Sequence, residues 1–240
     1  KQINQRPVLF MKLTSPRKVP RRTKRNIWWG ANQFRQGRVP FITFINFPWM
    51  MGKVLKEVKS LAPRPENCSV LEIGPGETPL TTELPFRQTT LVDASPEIVA
   101  QLKATKEKPS TAILLGDVRS LKFSKKKTFD LAVASEVFTH VKPAERPKAI
   151  LEIERNANAM LIIDRPRIPF SILRARYKLI TDTAVRREYE KLVDFSYIRT
   201  FLEKRGWIVG TETVRYLKYA PAYTILKARR KKPQVTSARA

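Results

Sequence analysis

Val70-Leu71-Glu72-Ile73-Gly74-Pro75-Gly76-Glu77-Thr78 is the key to this chain's architecture. Its first four residues form a short, mostly apolar run, and two glycines come within the next three positions. A buried parallel strand that ends in a tight turn reads this way. Without Cβ atoms, Gly74 and Gly76 let the backbone turn sharply and let a ligand come close. Glu72 places a carboxylate inside the apolar run, which is costly unless donors reach it. Alone, this pattern also fits an ordinary strand-to-helix turn that binds nothing.

The residues downstream give the stretch its weight. Thr89 to Asp93 is a second strand closed by an acid, nineteen residues after Gly74. That is close to the roughly twenty residues expected between a glycine turn and a ribose-binding carboxylate. Ala112 to Asp117 is a third strand closed by an acid, and Phe129 to Ser135 is a fourth, running into Glu136-Val137-Phe138-Thr139-His140. Met160 to Asp164 is a fifth. Two more apolar runs, Trp207–Val209 and Tyr223–Leu226, come last. Ahead of the first strand, Met51, Val54, Leu55, Val58 and Leu61 recur at helical spacing and predict a covering helix.

Taken together, Leu71 to Gly76, Leu91 to Pro96, Gly116-Asp117-Val118 and Phe129 to Val137 resemble a class I S-adenosylmethionine (SAM) dependent methyltransferase. The resemblance covers about residues 65 to 165 and runs more weakly to about 230. It implies an α/β, Rossmann-like, seven-stranded sheet with helices on both faces. It also implies SAM as cofactor, held by Glu72, Gly74, Pro75, Gly76, Asp93, Ala94, Asp117, Val118 and Ser135. Asp93 would accept the ribose hydroxyls, while Asp117 and Val118 would edge the adenine. Glu136 and His140 stand where such enzymes keep catalytic groups, although a histidine here also reads as simple packing near the cofactor. Three positions depart from the pattern. Thr78 replaces a common third glycine, Ser135-Glu136-Val137-Phe138 is not the tetrapeptide of amine-methylating enzymes, and Arg155 to Asn158 replaces a Pro-Gly-Gly turn.

The formal charge of +26 is unevenly placed. Residues 1–60 hold 14 Lys+Arg against one acid, Glu57; residues 61–164 are balanced at 14 and 14; residues 165–240 hold 19 and 6. A neutral core between two basic flanks is the footprint of a polyanionic partner, and nucleic acid is favoured over a membrane surface. The domains read as a basic RNA-binding extension at 1–45, a methyltransferase domain at 46–230 and a basic tail at 231–240. A basic insertion occupies 165–195. Candidate RNA-binding residues are Arg17, Lys18, Arg21, Arg22, Lys24, Arg25, Trp28 and Trp29, with Arg174 and Arg176 in the insertion. Arginine and aromatics together suit phosphates and unpaired bases. The two tryptophans could equally dock on the domain as apolar anchors.

The expected partners are therefore ribosomal RNA and ribosomal or assembly-factor proteins, with no membrane and no metal. Lone Cys68 excludes an internal disulfide or a cysteine-built metal site, and reads as a small buried hydrophobe. No run approaches the eighteen apolar residues of a membrane span. The Arg-rich, acid-poor start at Lys1 fits the remainder of an organelle import segment, and so a mitochondrial location is expected. Without that segment the expectation is a cytoplasmic, ribosome-associated protein. Two functions remain open at this level: an RNA methyltransferase, or a silent protein of the same fold serving as a structural or assembly factor of the ribosome.

Overall fold

The computed structural model describes residues 52–105, 109–123, 128–167, 190–217 and 220–231. All of them belong to the unit Asn46–Ala240. The candidate residues at 17–29, Arg174 and Arg176, and most of the 165–195 insertion lie outside the described residues.

Among the described residues, seven strands form one sheet: β1 (Ser69–Ile73), β2 (Gln88–Asp93), β3 (Thr111–Leu115), β4 (Phe129–Ser135), β5 (Ala157–Asp164), β6 (Trp207–Leu217) and β7 (Ala220–Arg230). Their spatial order is β3-β2-β1-β4-β5-β7-β6. The first five strands run parallel, and β7 enters antiparallel between β5 and β6. The chain winds outward from β1 to β3, then restarts at β4 on the other side of β1. Between β1 and β4 the strand order reverses, and in open α/β sheets ligands bind at the carboxyl ends flanking such a reversal.

The described helices are α1 (residues 52–61), α2 (Pro96–Ala104), α3 (Arg146–Asn156) and α4 (Phe195–Lys204). Because β1 and β4 are covered on both faces, their side chains are apolar without alternation. Leu71 and Ala132 join one core with Ile150, Ile153 and Leu202, while Val70 and Leu131 join another with Val54 and Val58 of α1. Two ion pairs latch α1 to the antiparallel strands, Lys53 Nζ to Glu212 at 2.5 Å and Lys227 Nζ to Glu57 at 2.6 Å. Cys68 is a partly buried hydrophobe beside the α1 core, and burial pushes its thiol pKa up.

Asp194 caps α4, its carboxylate accepting from the Tyr197 N–H at 3.0 Å. An Asp three residues ahead of Tyr197 serves the orphan N–H groups as well as a serine. The last two strands reach eleven residues each, so Lys227, Arg229 and Arg230 belong to β7. Polar Gly210, Glu212 and Thr213 hide β6 from a hydrophobicity reading, because an antiparallel pair needs one apolar face only. After Pro79 the chain makes only a 3-10 turn, Thr81–Glu83. Among the described residues no helix is long and apolar enough to cross a membrane.

Candidate functional site

The carboxyl ends of β1 and β4 build the site from backbone outward. Gly74 has φ +63° and Gly76 φ +56°, so both occupy the left-handed region that L side chains disfavour. A Cβ on Gly74 would stand 2.7 Å from Val137 Cγ2, so the β1 exit and the β4 exit pack glycine against valine. Around Gly76 the reverse holds, since a Cβ there would meet nothing within 4 Å. Gly74 N donates to Val92 O at 2.8 Å and ties the turn to β2.

Glu72 holds this loop from beneath. Its side chain is buried, and the carboxylate accepts from Leu80 N at 2.7 Å, Thr81 N at 2.9 Å and Thr81 Oγ1 at 2.5 Å. These three donors answer the cost of placing a carboxylate in the apolar strand. Burial still raises its pKa, with the Thr81 and Leu80 bonds opposing. The sequence reading makes Glu72 a cofactor-binding residue. Its carboxylate turns inward and fixes the segment after the glycines.

Asp93 closes β2 as the sequence reading expects. Its Oδ2 accepts from Gly76 N at 3.3 Å and its Oδ1 from Ser95 N at 2.9 Å. Both carboxylate oxygens keep lone pairs for further donors, and the group is only half-buried. Ala94 beside it is exposed, and Ser95 Oγ caps α2 by accepting from Ile98 N. Pro75 is buried within the turn, and Ser135 is half-buried at the β4 exit.

Asp117 and Val118 come after β3. Arg119 grips both Asp117 oxygens, with Nε at 2.9 and 3.1 Å and Nη2 at 2.5 Å, while its backbone N donates at 2.8 Å. The same guanidinium reaches Glu145 at 2.7 Å. The Arg119 hydrogen bonds hold the Asp117 carboxyl below its usual range. Val118 is buried in the main core, which makes its side chain a packing residue.

Beyond β4 the backbone is unusual at Glu136, which has φ +57°, a left-handed value that no other described non-glycine residue adopts. Its N–H donates to Ile163 O at 2.7 Å, and its exposed carboxylate receives the hydroxyl of Tyr223 from β7. Backbone strain at a strand exit in an α/β sheet marks a place where function is worth seeking. Burial raises the Tyr223 pKa, and the Glu136 charge adds to it. His140 ends the 3-10 turn Phe138–His140 and is exposed, while Phe138 and Thr139 of that turn are buried. Glu136 and His140 therefore share the β4 exit, and Glu136 is the one tied to β7 by its side chain.

Three supporting residues have roles that the sequence does not give. Asp164, buried at the end of β5, accepts from Thr139 N at 3.0 Å, from the Thr139 hydroxyl and from Arg165 N at 2.8 Å; burial raises its pKa. Arg146, also buried, donates to five carbonyls: Phe138 and Val141 from Nε, Leu192 from Nη1, Glu190 and Lys191 from Nη2. It clamps the β4 exit to the segment leading into α4, and burial lowers its pKa. Tyr223 completes the set. Their long-range contacts join residues 25 to 87 positions apart, so no local pattern announces them.

Residues 71–158 match the family described as methyltransferase domain. Magnesium protoporphyrin IX methyltransferase from Synechocystis PCC 6803, solved with S-adenosylhomocysteine (SAH), superposes with a TM-score of 0.61 at 15% identity, covering 88% of this chain and 100% of that one. The plantazolicin methyltransferase BpumL, in complex with SAH, gives 0.58 at 13% identity, covering 89% and 92%. Haemonchus contortus phosphoethanolamine N-methyltransferase 2, in complex with SAM, gives 0.60 at 14%, covering 75% of this chain and 53% of that one. No curated protein matches the chain. At such identities the likeness shows the fold alone, an α/β sheet of the Rossmann-like kind.

Proposed function

We propose that this chain is a SAM-dependent methyltransferase that acts on ribosomal RNA, in rRNA modification or ribosome assembly within the mitochondrion. Its partners would be ribosomal RNA and ribosomal or assembly-factor proteins. One observation carries the reading: an open glycine corner bonded to Asp93 lies at the strand-order reversal, within a charge-balanced stretch (residues 61–164) whose flanking sequence is strongly basic. Asp93 would take the ribose hydroxyls, and the Gly74–Gly76 backbone would lie against the nucleoside. The cofactor supplies an electrophilic methyl group. Glu136, held by Tyr223 at the β4 exit, would take the proton that an N–H or O–H nucleophile loses. Alignment of nucleophile and methyl carbon would provide most of the acceleration.

A second reading keeps the RNA and drops the chemistry, making the domain a structural or assembly factor of the ribosome. Asp117 favours it, because Arg119 already occupies the carboxylate that would hydrogen-bond the adenine amino group. Calorimetric titration with SAM separates the two, with Asp93→Ala as control and tritiated methyl transfer to rRNA as readout. SAM binding that Asp93→Ala weakens, with label in RNA, supports the enzyme. Absence of SAM binding beside intact RNA binding leaves the structural reading.

A further inference from the structure

The outer face of α4 carries a ladder that the site does not use. Tyr197, Phe201 and Arg205 recur every four residues and so share one helix face. The Tyr197 ring stacks on Phe201 with centroids 6.1 Å apart, and the Arg205 guanidinium lies 5.8 Å from the Phe201 centroid. Tyr197 is 49% exposed. Beside the foot of the ladder, Arg230 lies over Trp207 at 5.2 Å and donates to the Glu154 carbonyl at 2.6 Å, while Arg205 Nε bonds the Glu154 carboxylate at 2.5 Å. Stacking fixes both guanidinium planes and leaves N–H edges for a further acceptor.

The charge here exceeds what the fold consumes. Arg155, Arg199, Lys204, Arg205, Arg230 and Lys231 are exposed on α3, α4 and the end of β7, against Glu152, Glu154 and Glu203. The C-terminal ends of α3 and α4 contribute about half a negative charge each, so roughly two positive charges remain. At its other end α4 begins beside the β5 exit, where Arg167 N donates to Val193 O at 2.8 Å. The ladder thus runs from the candidate site's side of the sheet to the opposite rim.

We infer that this face binds single-stranded RNA, with Tyr197 stacking an unpaired base and the cations around Arg205 and Arg230 taking phosphates. The inference rests on RNA being the partner and assigns the surface within the folded domain that grips it. Exposed aromatics between fixed cations suit single strands, whose bases are free to stack. A duplex offers phosphates but no free base face. An anionic membrane would ask for an apolar face without a stacked ladder.

The test uses the full chain and a mixed-sequence RNA single strand of about 20 nucleotides, its duplex, and phosphatidylserine vesicles. Arg155→Glu, Lys204→Glu and Lys231→Glu together avoid the Glu154 pairs. Arg64→Glu, Arg87→Glu and Lys103→Glu, exposed near β1, β2 and α2, make the same charge change elsewhere. The first triple should weaken single-strand binding at least about tenfold. It should also reduce the slope of log K against log salt by about 2, near 0.7 per lost phosphate contact. The control triple should stay within about threefold. Tyr197→Ala should lose affinity for the single strand and keep it for the duplex. Equal losses in both triples, no loss in the first, or a loss confined to vesicles would overturn the surface assignment. Wild-type protein that binds no RNA would overturn the partner as well, so the two failures read differently.

Discussion

The β1–β4 exits and the outer face of α4 both concentrate charge, but they treat it in opposite ways. At the exits Glu72, Asp164 and Arg146 are buried, and each is saturated, mostly by backbone groups. Their charge goes into shaping loops. At the end of α4 and of the neighbouring β7, the guanidinium groups of Arg205 and Arg230 rest on rings and stay in contact with solvent. An ion that has lost its water must be answered within the fold, whereas one left in water keeps its field for a partner. Burial therefore separates the charges that hold the structure from those that remain available to bind.

Substitutions can break that contrast, and the largest effect is expected at Arg146. Arg146→Ala strips a donor from five carbonyls and should cost on the order of 3–5 kcal/mol, read as a lowered urea midpoint. Glu72→Ala should cost about 1–3 kcal/mol by orphaning the Leu80 and Thr81 donors, and SAM affinity should fall with it although Glu72 faces into the fold. Gly74→Ala combines φ +63° with a 2.7 Å approach to Val137, so a loss of about 1–2 kcal/mol is expected in thermal unfolding. Asp93→Ala should leave stability nearly unchanged while weakening SAM binding by roughly 2 kcal/mol, some thirtyfold by calorimetry. If Asp93→Ala destabilised the fold as Glu72→Ala does, the division between shaping and binding carboxylates would fail.

The smallest effect is in pH dependence. Burial raises the Glu72 pKa, so its contribution to stability is fully present below the ordinary carboxylate range and is lost as pH rises through the raised value. In Glu72→Gln that decline should vanish from a series of urea melts running from about pH 4 to pH 8. Asp117 has the opposite sign. Its lowered pKa gives a contribution present above the ordinary range and lost as pH falls, which Arg119→Ala should remove.

Much of the first region is legible in the sequence. The glycine turn, the acid closing β2 and the strands of the parallel half rest on local signals: apolar runs, residues that tolerate positive φ, and acids at strand ends. Asp93 and Gly76 are found this way, and they meet. Glu72 is found, but its inward turn onto Leu80 and Thr81 is not, because a sequence tells which residue carries a carboxylate and not which way it turns. The second region is nearly invisible. The spacing of Tyr197, Phe201 and Arg205 is local, yet nothing along the chain says that Arg230, twenty-five residues beyond Arg205, would arrive beside them over Trp207.

Fold class, the β1 turn with the acid that closes β2, and the segregation of positive charge could all be read along the chain, since each depends on residues close in sequence. Which charges are enclosed could not. Arg146, Asp164 and Tyr223 acquire their roles from partners brought in by the sheet's crossovers and by β7. Burial and hydrogen-bond saturation are properties of packed neighbours, and those neighbours are set by the fold as a whole.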